Sequence, residues 1–266
     1  MPKVPFTKYH GAGNDFILVD DREGEWGQRI NENWVAKACH RRFGIGADGL
    51  ILLQPGKEGA DFFMKYYNSD GRTSTFCGNG GRCMVSFSAA LGLHSGECRF
   101  LGTDGWHKGV LNHDGLVHLS MGDVHEIKTL DEHTYSMDTG SPHYVTFVDD
   151  LDKLDVKKEG GAIRNSAPFM KEGINVNFVK FLGPAEIRVR TYERGVEDET
   201  MACGTGVVAA AIANAFHQND SSGHCVVHAM GGELKVEFNR SDDQHFTSVR
   251  LIGPAVEVFR GEIEID

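Results

Sequence analysis

The chain has 266 residues, and its 38 acidic and 27 basic side chains give a formal net charge of −11. This acidic balance argues against nucleic acid as a partner, because phosphate binding needs a concentrated positive surface. Hydrophobic residues make up 40% of the chain and glycines number 33, a composition that excludes disordered, collagen-like and coiled-coil proteins. The length favours one large or two medium domains, and we expect two.

The sequence shows no signal for a membrane or for secretion. Its longest apolar stretch, Val207 to Ala213, falls far short of the about 20 residues that a membrane-spanning helix needs. The N-terminal residues MPKVP lack the apolar core of a signal peptide. We therefore expect a cytoplasmic protein whose six cysteines are reduced thiols, some of them available for chemistry.

In chain order, the first two landmarks of the sequence each occur twice. A glycine-rich turn leads into an apolar strand that ends in two acids, at Gly11 to Asp21 (GAGNDFILVDD) and again at Gly140 to Asp150 (GSPHYVTFVDD). A Gly-Ile pair opens a β-like run at Gly44 and again at Gly173. Repetition in the same order indicates an internal duplication.

The third landmark is the most specific one. A strand that carries Tyr67 precedes Cys77 in the sequence CGNG, and a strand that carries Tyr192 precedes Cys203 in the sequence CGTG. A long apolar pattern follows each cysteine, and Val207 to Phe216 is apolar nearly all round, which predicts a central helix surrounded by strands. Each half of the chain thus reads as several strands around one buried helix.

The predicted fold is α+β, with two pseudo-symmetric domains and an active site in the cleft between them. The second set of landmarks begins after Gly122, and residues 256–265 alternate like a strand that closes the first domain. We therefore expect one domain of residues 1–121 plus 254–266 and another of residues 122–253.

Two cysteines that each precede Gly-x-Gly at the start of a buried helix suggest a mechanism. A helix N-terminus carries roughly half a positive charge, which lowers the pKa of a nearby thiol and attracts a carboxylate. If the two domains face each other, Cys77 removes or delivers a proton on one face of a substrate α-carbon and Cys203 acts on the other. The expected reaction is stereoinversion without a cofactor or a metal.

The sequence resembles the diaminopimelate epimerases. The resemblance rests on five motifs spread over nearly the whole chain in family order: HGAGNDF (10–16), NSDG (68–71), CGNGGR (77–82), YERGVEDET (192–200) and ACGTG (202–206). It implies the interconversion of LL- and meso-diaminopimelate in lysine and peptidoglycan precursor biosynthesis, and it is compatible with a homodimer. The only partner it implies besides a second copy is this small-molecule substrate.

The resemblance also implies roles for individual residues. Cys77 and Cys203 match the two acid/base residues, and His143 lies near this pair. Substrate-binding positions match Asn14, Asn68, Gly78, Asn79, Asn175, Glu193, Arg194, Gly204 and Thr205. Diaminopimelate has two carboxylates and two ammonium groups, so an Arg, a carboxylate and several amides form a suitable set, and Arg grips a carboxylate with a planar fork.

Two positions depart from the family pattern. Many members have Gln where this chain has Gly49, and many have Asn before Pro-His where it has Ser141. Ser141 keeps a hydroxyl, so we count it as a supporting residue with a shorter reach than Asn. Both departures concern recognition of the distal group of the substrate.

Parts of the sequence also fit other interpretations. The remaining cysteines (Cys39, Cys83, Cys98 and Cys225) are expected to pack in the core. A zinc site from Cys77, Cys83, His94 and Cys98 lacks the short Cys-x2-Cys spacing. The alternatives for function are another two-thiol amino-acid racemase or epimerase, and a non-catalytic amino-acid-binding protein with the same fold.

Overall fold

A computed structural model describes residues 2–74, 76–242 and 244–265. The chain divides into two compact units, one formed by Met1–Leu119 with Pro254–Asp266 (unit 1) and the other by Ser120–Gly253 (unit 2). The expected boundary between residues 121 and 122 lies close to this division. Among the described residues, no helix has the length and apolar character needed to cross a membrane.

Unit 1 is a mixed sheet with helices α1 and α2. Its strands lie in the order β17, β1, β2, β3, β4, β5, β6, β7, and the pairs β2/β3 and β4/β5 are parallel while the others are antiparallel. The elements are β1 (Lys3–Gly11), β2 (Asn14–Asp20), α1 (Glu32–Cys39), β3 (Gly49–Pro55), β4 (Phe62–Asn68), α2 (Gly78–Ala90), β5 (Glu97–Gly102), β6 (Gly105–Leu111), β7 (Leu116–Ser120) and β17 (Val256–Glu264).

Unit 2 repeats this arrangement. Its strands lie in the order β8, β9, β10, β11, β12, β14, β15, β16, and the pairs β10/β11 and β12/β14 are parallel while the others are antiparallel. The elements are β8 (Lys128–Asp131), β9 (Thr134–Asp138), β10 (Pro142–Phe147), α3 (Val156–Arg164), β11 (Asn175–Gly183), β12 (Glu186–Glu193), β13 (Asp198–Thr200), α4 (Gly204–His217), β14 (His224–Ala229), β15 (Gly232–Arg240) and β16 (Phe246–Pro254).

The two units share one topology. Each has a helix before the second parallel strand and a second helix between its later pair of parallel strands, so α1 corresponds to α3 and α2 to α4. The predicted α+β fold with two pseudo-symmetric halves is confirmed. Crossovers between parallel neighbours require such intervening segments, which explains where the helices occur.

The central helices are α2 and α4. All residues from Val207 to Ala215 are buried, and α4 packs against β9 to β12, β14 and β15. Helix α2 is buried from Gly78 to Val85 and packs against β1, β2, β3 and β6. The predicted central helices are therefore confirmed in each unit.

Helix α3 lies close to the strand that leads to two of the expected substrate-binding residues. A Cβ added at Gly160 would come within 2.4 Å of Cβ of Tyr192, the residue that precedes Glu193 and Arg194. At Gly161, the nearest atom to an added Cβ is the Tyr192 hydroxyl oxygen at 3.6 Å. The two adjacent glycines thus differ in whether the packing of α3 on β12 requires them.

This difference predicts opposite effects of the same substitution. Gly160→Ala should destabilise the protein by about 1–3 kcal/mol, because the added methyl forces α3 away from Tyr192. Gly161→Ala should stabilise it by about 0.5–1 kcal/mol, because alanine restricts the unfolded chain and favours a helix. Thermal or urea unfolding of the two variants measures both effects. Equal midpoints for the two variants would contradict this account of the packing.

Candidate active site

Cys77 lies immediately before the first turn of α2. Its backbone is extended (φ −118°, ψ 118°), and its carbonyl accepts a hydrogen bond from the Gly81 N–H at 2.8 Å. A Cβ at Gly80 would lie 2.8 Å from Cδ1 of Ile51, so a larger residue at this position would have to displace the end of the Ile51 side chain. The N–H groups of the first turn have no partner within the helix and can face an anion.

Three amide and carboxylate side chains form a chain of hydrogen bonds that reaches Cys77. Cys77 Sγ lies 3.6 Å from Oδ1 of Asn14, which also accepts a hydrogen bond from Nδ2 of Asn79 at 3.1 Å. Nδ2 of Asn14 donates to a carboxylate oxygen of Asp48 at 2.6 Å. Because a carboxylate only accepts, this contact fixes the amide orientation and turns Oδ1 toward Cys77. The thiol form of Cys77 therefore has an acceptor.

Asn68 lies at the end of β4, opposite Gly49 of β3. A Cβ at Gly49 would lie 2.5 Å from both Cε2 of Tyr66 and the carbonyl oxygen of Tyr67. A side chain at position 49 is therefore not accommodated beside these tyrosines. Within the described residues, the amide of Asn68 makes no hydrogen bond with another side chain and can bind a ligand.

Cys203 has the same position in unit 2 as Cys77 has in unit 1. It precedes α4 with an extended backbone (φ −103°, ψ 113°), and its carbonyl accepts from the Val207 N–H at 2.8 Å. The side chain is 8% exposed. A Cβ at Gly206 would come within 2.4 Å of Oδ1 of Asn177, so glycine again allows the close approach of the helix to the sheet.

Thr205 connects Cys203 to a buried histidine. The Thr205 hydroxyl lies 3.5 Å from Sγ of Cys203 and 2.9 Å from Nε2 of His143. The Ser141 hydroxyl lies 3.0 Å from the same Nε2 and 3.2 Å from the Thr205 hydroxyl. These contacts bring together four of the expected residues of unit 2.

Asn177 determines which ring nitrogen of His143 carries the proton. Its Nδ2 donates to the carbonyl of Tyr144 at 3.0 Å, and its Oδ1 accepts from the hydroxyl of Thr191 at 2.9 Å, so the amide orientation is fixed. The same Nδ2 lies 3.0 Å from Nδ1 of His143. Nδ1 must therefore accept, and the neutral ring carries its proton on Nε2, which donates toward the hydroxyls of Thr205 and Ser141.

His143 is neutral at ordinary pH. Complete burial, assisted by the charge of Arg194, lowers the pKa of its imidazole to about 3. The Thr205 hydroxyl accepts a hydrogen bond from His143. It can therefore donate a hydrogen bond of its own to Sγ of Cys203. Sequence reasoning did not single out Asn177, although it stands two residues after Asn175 on the same face of β11.

Arg194, just beyond the end of β12, is held in place by Asn175 and Glu172. The Asn175 amide donates to the Ser141 hydroxyl at 3.0 Å and accepts from the backbone N–H of Arg194 at 2.9 Å. Nη1 of Arg194 donates to the carbonyl of Glu172 at 2.8 Å, and no ion pair ties its guanidinium to a carboxylate of the described residues. Glu193 accepts from the hydroxyl of Thr200 at 3.0 Å. Arg194 is thus held by its backbone and available to bind a carboxylate.

The remaining cysteines differ from Cys77 and Cys203. Cys39, Cys83, Cys98 and Cys225 are buried in the core, as expected. Burial raises the pKa of each of these thiols to about 12, which keeps them protonated. Across residues 2–74, 76–242 and 244–265, no group of His, Cys, Asp and Glu side chains is arranged to hold a metal ion.

Known proteins resemble the chain along most of its length. A family model described as diaminopimelate epimerase matches residues 6–127 and 135–258. A diaminopimelate epimerase of Flavobacterium psychrophilum is 45% identical over 96% of this chain and 98% of its own, and one of Chlorobaculum tepidum is 42% identical over 96% and 99%.

Solved structures share the fold at low identity. A phenazine biosynthesis protein of the PhzF family from Bacillus anthracis superposes with a TM-score of 0.74 at 16% identity, covering all of both chains. A hydroxyproline epimerase from Agrobacterium vitis superposes with a TM-score of 0.71 at 13% identity, covering 98% of this chain and 92% of its own. Because the family model spans both units and the relatives match nearly the whole chain, this protein belongs to the diaminopimelate epimerase family and is an epimerase, an enzyme of the isomerase class.

Proposed function

We propose that this enzyme interconverts LL- and meso-diaminopimelate by a two-base proton transfer between Cys77 and Cys203. The observation that carries the proposal is the repeated placement of a thiol before the first turn of a buried helix, in each of two units with one topology. The other thiols of the described chain are buried in the core and kept protonated. The relatives that match nearly the whole chain are named diaminopimelate epimerases, which supports the choice of substrate.

The reaction conserves atoms and charge without a cofactor. One cysteine, as the thiolate, takes the α-hydrogen as a proton, and the electron pair of the C–H bond is delocalised into the α-carboxylate. The other cysteine, as the thiol, gives its proton to the opposite face of the same carbon. The enzyme ends with the roles of the two sulfurs exchanged, and the reverse reaction restores them.

Backbone N–H groups stabilise the charge that develops in this step. Carbanion character places additional negative charge on the carboxylate oxygens, and fixed N–H donors bind that charge more strongly in the transition state than in the ground state. Gly78 with Asn79, and Gly204 with Thr205, supply the first N–H groups of α2 and α4. We assign them to the carboxylate at the reacting carbon.

The distal amino-acid group of the substrate is assigned to polar side chains of both units. Arg194 binds the distal carboxylate, because its guanidinium has no carboxylate partner among the described residues and can form a forked contact. Asn175 orients the backbone of Arg194. Glu193 and the amides of Asn14 and Asn68 bind the ammonium groups of the substrate. The proposal includes a cytoplasmic enzyme, a homodimer by family resemblance, that acts in lysine and peptidoglycan precursor biosynthesis.

Proton NMR in heavy water tests the two-base step and its substrate together. The native protein with LL-diaminopimelate should form the meso isomer and introduce deuterium at the inverted carbon. Cys77→Ala or Cys203→Ala should abolish epimerisation, because inversion needs an acceptor and a donor on opposite faces. Cys98→Ala and Cys225→Ala are the matched controls, one buried thiol from each unit, and should remain active. Epimerisation by either Cys77→Ala or Cys203→Ala, or activity on proline but not on diaminopimelate, would end the proposal.

Substitution of Arg194 tests recognition of the distal carboxylate. Arg194→Lys should raise the KM for diaminopimelate about ten- to hundredfold, since a lost charged hydrogen bond is worth about 1.5–3 kcal/mol. Arg188→Lys is the control, because Arg188 lies on β12, the strand that ends just before Arg194, and pairs with Asp152 at the surface. Steady-state kinetics of the two variants measure KM and kcat/KM. An unchanged kcat/KM in Arg194→Lys would remove this residue from the site.

The Thr205 hydroxyl is expected to stabilise the thiolate of Cys203. Thr205→Val should raise the pH midpoint for alkylation of Cys203 and lower kcat, because the hydroxyl that faces Sγ is lost. Thr205→Ser keeps the hydroxyl and should retain the native midpoint. Alkylation by iodoacetamide, followed by peptide mass spectrometry across a pH series, gives both values. Identical Cys203 midpoints in Thr205→Val and Thr205→Ser would contradict the role of the hydroxyl.

A further inference from the structure

Arg82 is a completely buried cation in the second turn of α2. Its side chain is 0% exposed, and Nη2 donates to Oδ1 of Asn79 at 2.9 Å. Nε and Nη1 are buried and have no hydrogen-bond partner. Among the described residues, no carboxylate forms an ion pair with this guanidinium. A buried charge without a counter-charge is strongly unfavourable, so its presence calls for a specific reason.

Most charged and titratable groups on the elements around α2 are directed to other partners, and the exception is His10 of β1, whose buried Nδ1 has no hydrogen-bond partner. On β1, Lys8 pairs with Asp15 of β2 and the Tyr9 hydroxyl faces Glu257. On β6, His107 contacts Asp104 and Lys108 pairs with Glu97. Strand β3 carries no titratable side chain from Gly49 to Pro55.

Two ionisable groups near the start of α2 interact electrostatically with Arg82. The groups whose charge acts on the guanidinium are the thiols of Cys77 and Cys83. Burial raises the pKa of Cys83 to about 12, so Cys83 stays neutral. Cys77 is therefore the group whose ionisation gives Arg82 a counter-charge.

The repeat shows that the fold does not require this arginine. Arg82 follows Cys77 by five residues, and the corresponding position after Cys203 is Val208, which is also completely buried. A central helix of the same topology thus packs with an apolar side chain at this position. Arg82 also lies near the N-terminus of its helix, where the helix dipole disfavours a cation.

Space for the guanidinium is provided by a glycine of the first landmark. A Cβ at Gly11 would lie 3.2 Å from Nη2 of Arg82 and 3.0 Å from the carbonyl oxygen of Asn79. Because Oδ1 of Asn79 accepts from Arg82, its Nδ2 is directed to Oδ1 of Asn14, which faces Sγ of Cys77. The arginine thus acts on Cys77 by its charge and by a fixed chain of two amides.

We propose that Arg82 is a positioning residue that stabilises the thiolate form of Cys77. This inference rests on the proposed function, in which Cys77 alternates between thiol and thiolate. The Asn14 oxygen stabilises the thiol form by accepting a hydrogen bond from it, and the buried guanidinium stabilises the thiolate form. The two effects together keep both forms accessible, as a residue that serves as acid in one direction and as base in the other requires.

Alkylation of the two thiols in the same sample tests the proposal. The full-length native protein and the variants Arg82→Met, Arg82→Gln and Arg82→Lys are treated with iodoacetamide across a pH series, and the peptides that contain Cys77 and Cys203 are quantified. In Arg82→Met and Arg82→Gln, the pH midpoint of Cys77 should rise by about one unit or more, which slows its alkylation at pH 7 about tenfold. Arg82→Lys should give a midpoint between that variant pair and the native protein, because a buried lysine retains only part of its charge. Cys203 is the internal reference and should not shift.

A second measurement separates electrostatics from folding. Methionine replaces the aliphatic stem of arginine and removes the buried charge, so Arg82→Met should unfold thermally at the native temperature or above it. If Arg82→Met does not fold, the comparison of Arg82→Gln with Arg82→Lys decides the question. An unchanged Cys77 midpoint in the neutral variants, or equal shifts of Cys77 and Cys203, would overturn the proposal. Because alkylation needs no substrate, these outcomes are independent of whether the native protein epimerises diaminopimelate.

Discussion

The structure of each candidate site depends on the burial of a helix N-terminus. A helix leaves its first N–H groups without partners inside the helix, and they must be satisfied by a cap, by solvent or by a ligand. At the start of α2 and of α4 the capping position is a cysteine whose side chain makes no capping hydrogen bond, and glycines follow. The cysteine side chains do not occupy these N–H groups, and the rest of each helix is surrounded by strands. The glycines that weaken the helix locally are the residues that let it approach Ile51 in unit 1 and Asn177 in unit 2.

The two units use one topology to give their cysteines different surroundings. In the parallel strand pairs, Phe16 is aligned with Gly49 and His143 with Asn175, so Phe16 and His143 have corresponding positions. Two residues farther along, Ile51 corresponds to Asn177. The sheet face next to α2 is thus apolar where the face next to α4 carries the pair His143 and Asn177. Conversely, unit 1 buries Arg82 where unit 2 has a valine. A duplicated fold therefore supports two thiols that are stabilised by different chemistry, a fixed cation in one unit and an oriented hydroxyl in the other.

The sequence predicted the elements whose hydrophobic pattern is regular along their whole length. The apolar runs after Cys77 and Cys203 identified α2 and α4, and alternation identified β17. Helices α1 and α3 were not predicted, because they are short and only partly apolar. Their caps were the available signal: Asn31 accepts from the Trp34 N–H, and Asp155 accepts from the Lys158 N–H.

The polar residues that sequence reasoning missed have roles that depend on tertiary contacts. The sequence NVNF reads as an alternating strand, and nothing in its spacing indicates that Asn177 faces Nδ1 of His143, a residue 34 positions away. Arg82 belongs to the motif CGNGGR. Its significance comes from complete burial without an ion pair to a carboxylate of the described residues, which only the packed structure shows. Buried polar groups are unfavourable unless each is satisfied, so those retained in α2 and next to α4 mark the positions where this fold gives up stability for a defined protonation state. In unit 2 that state is a neutral imidazole with one tautomer, and in unit 1 it is a cation whose counter-charge appears only when Cys77 ionises.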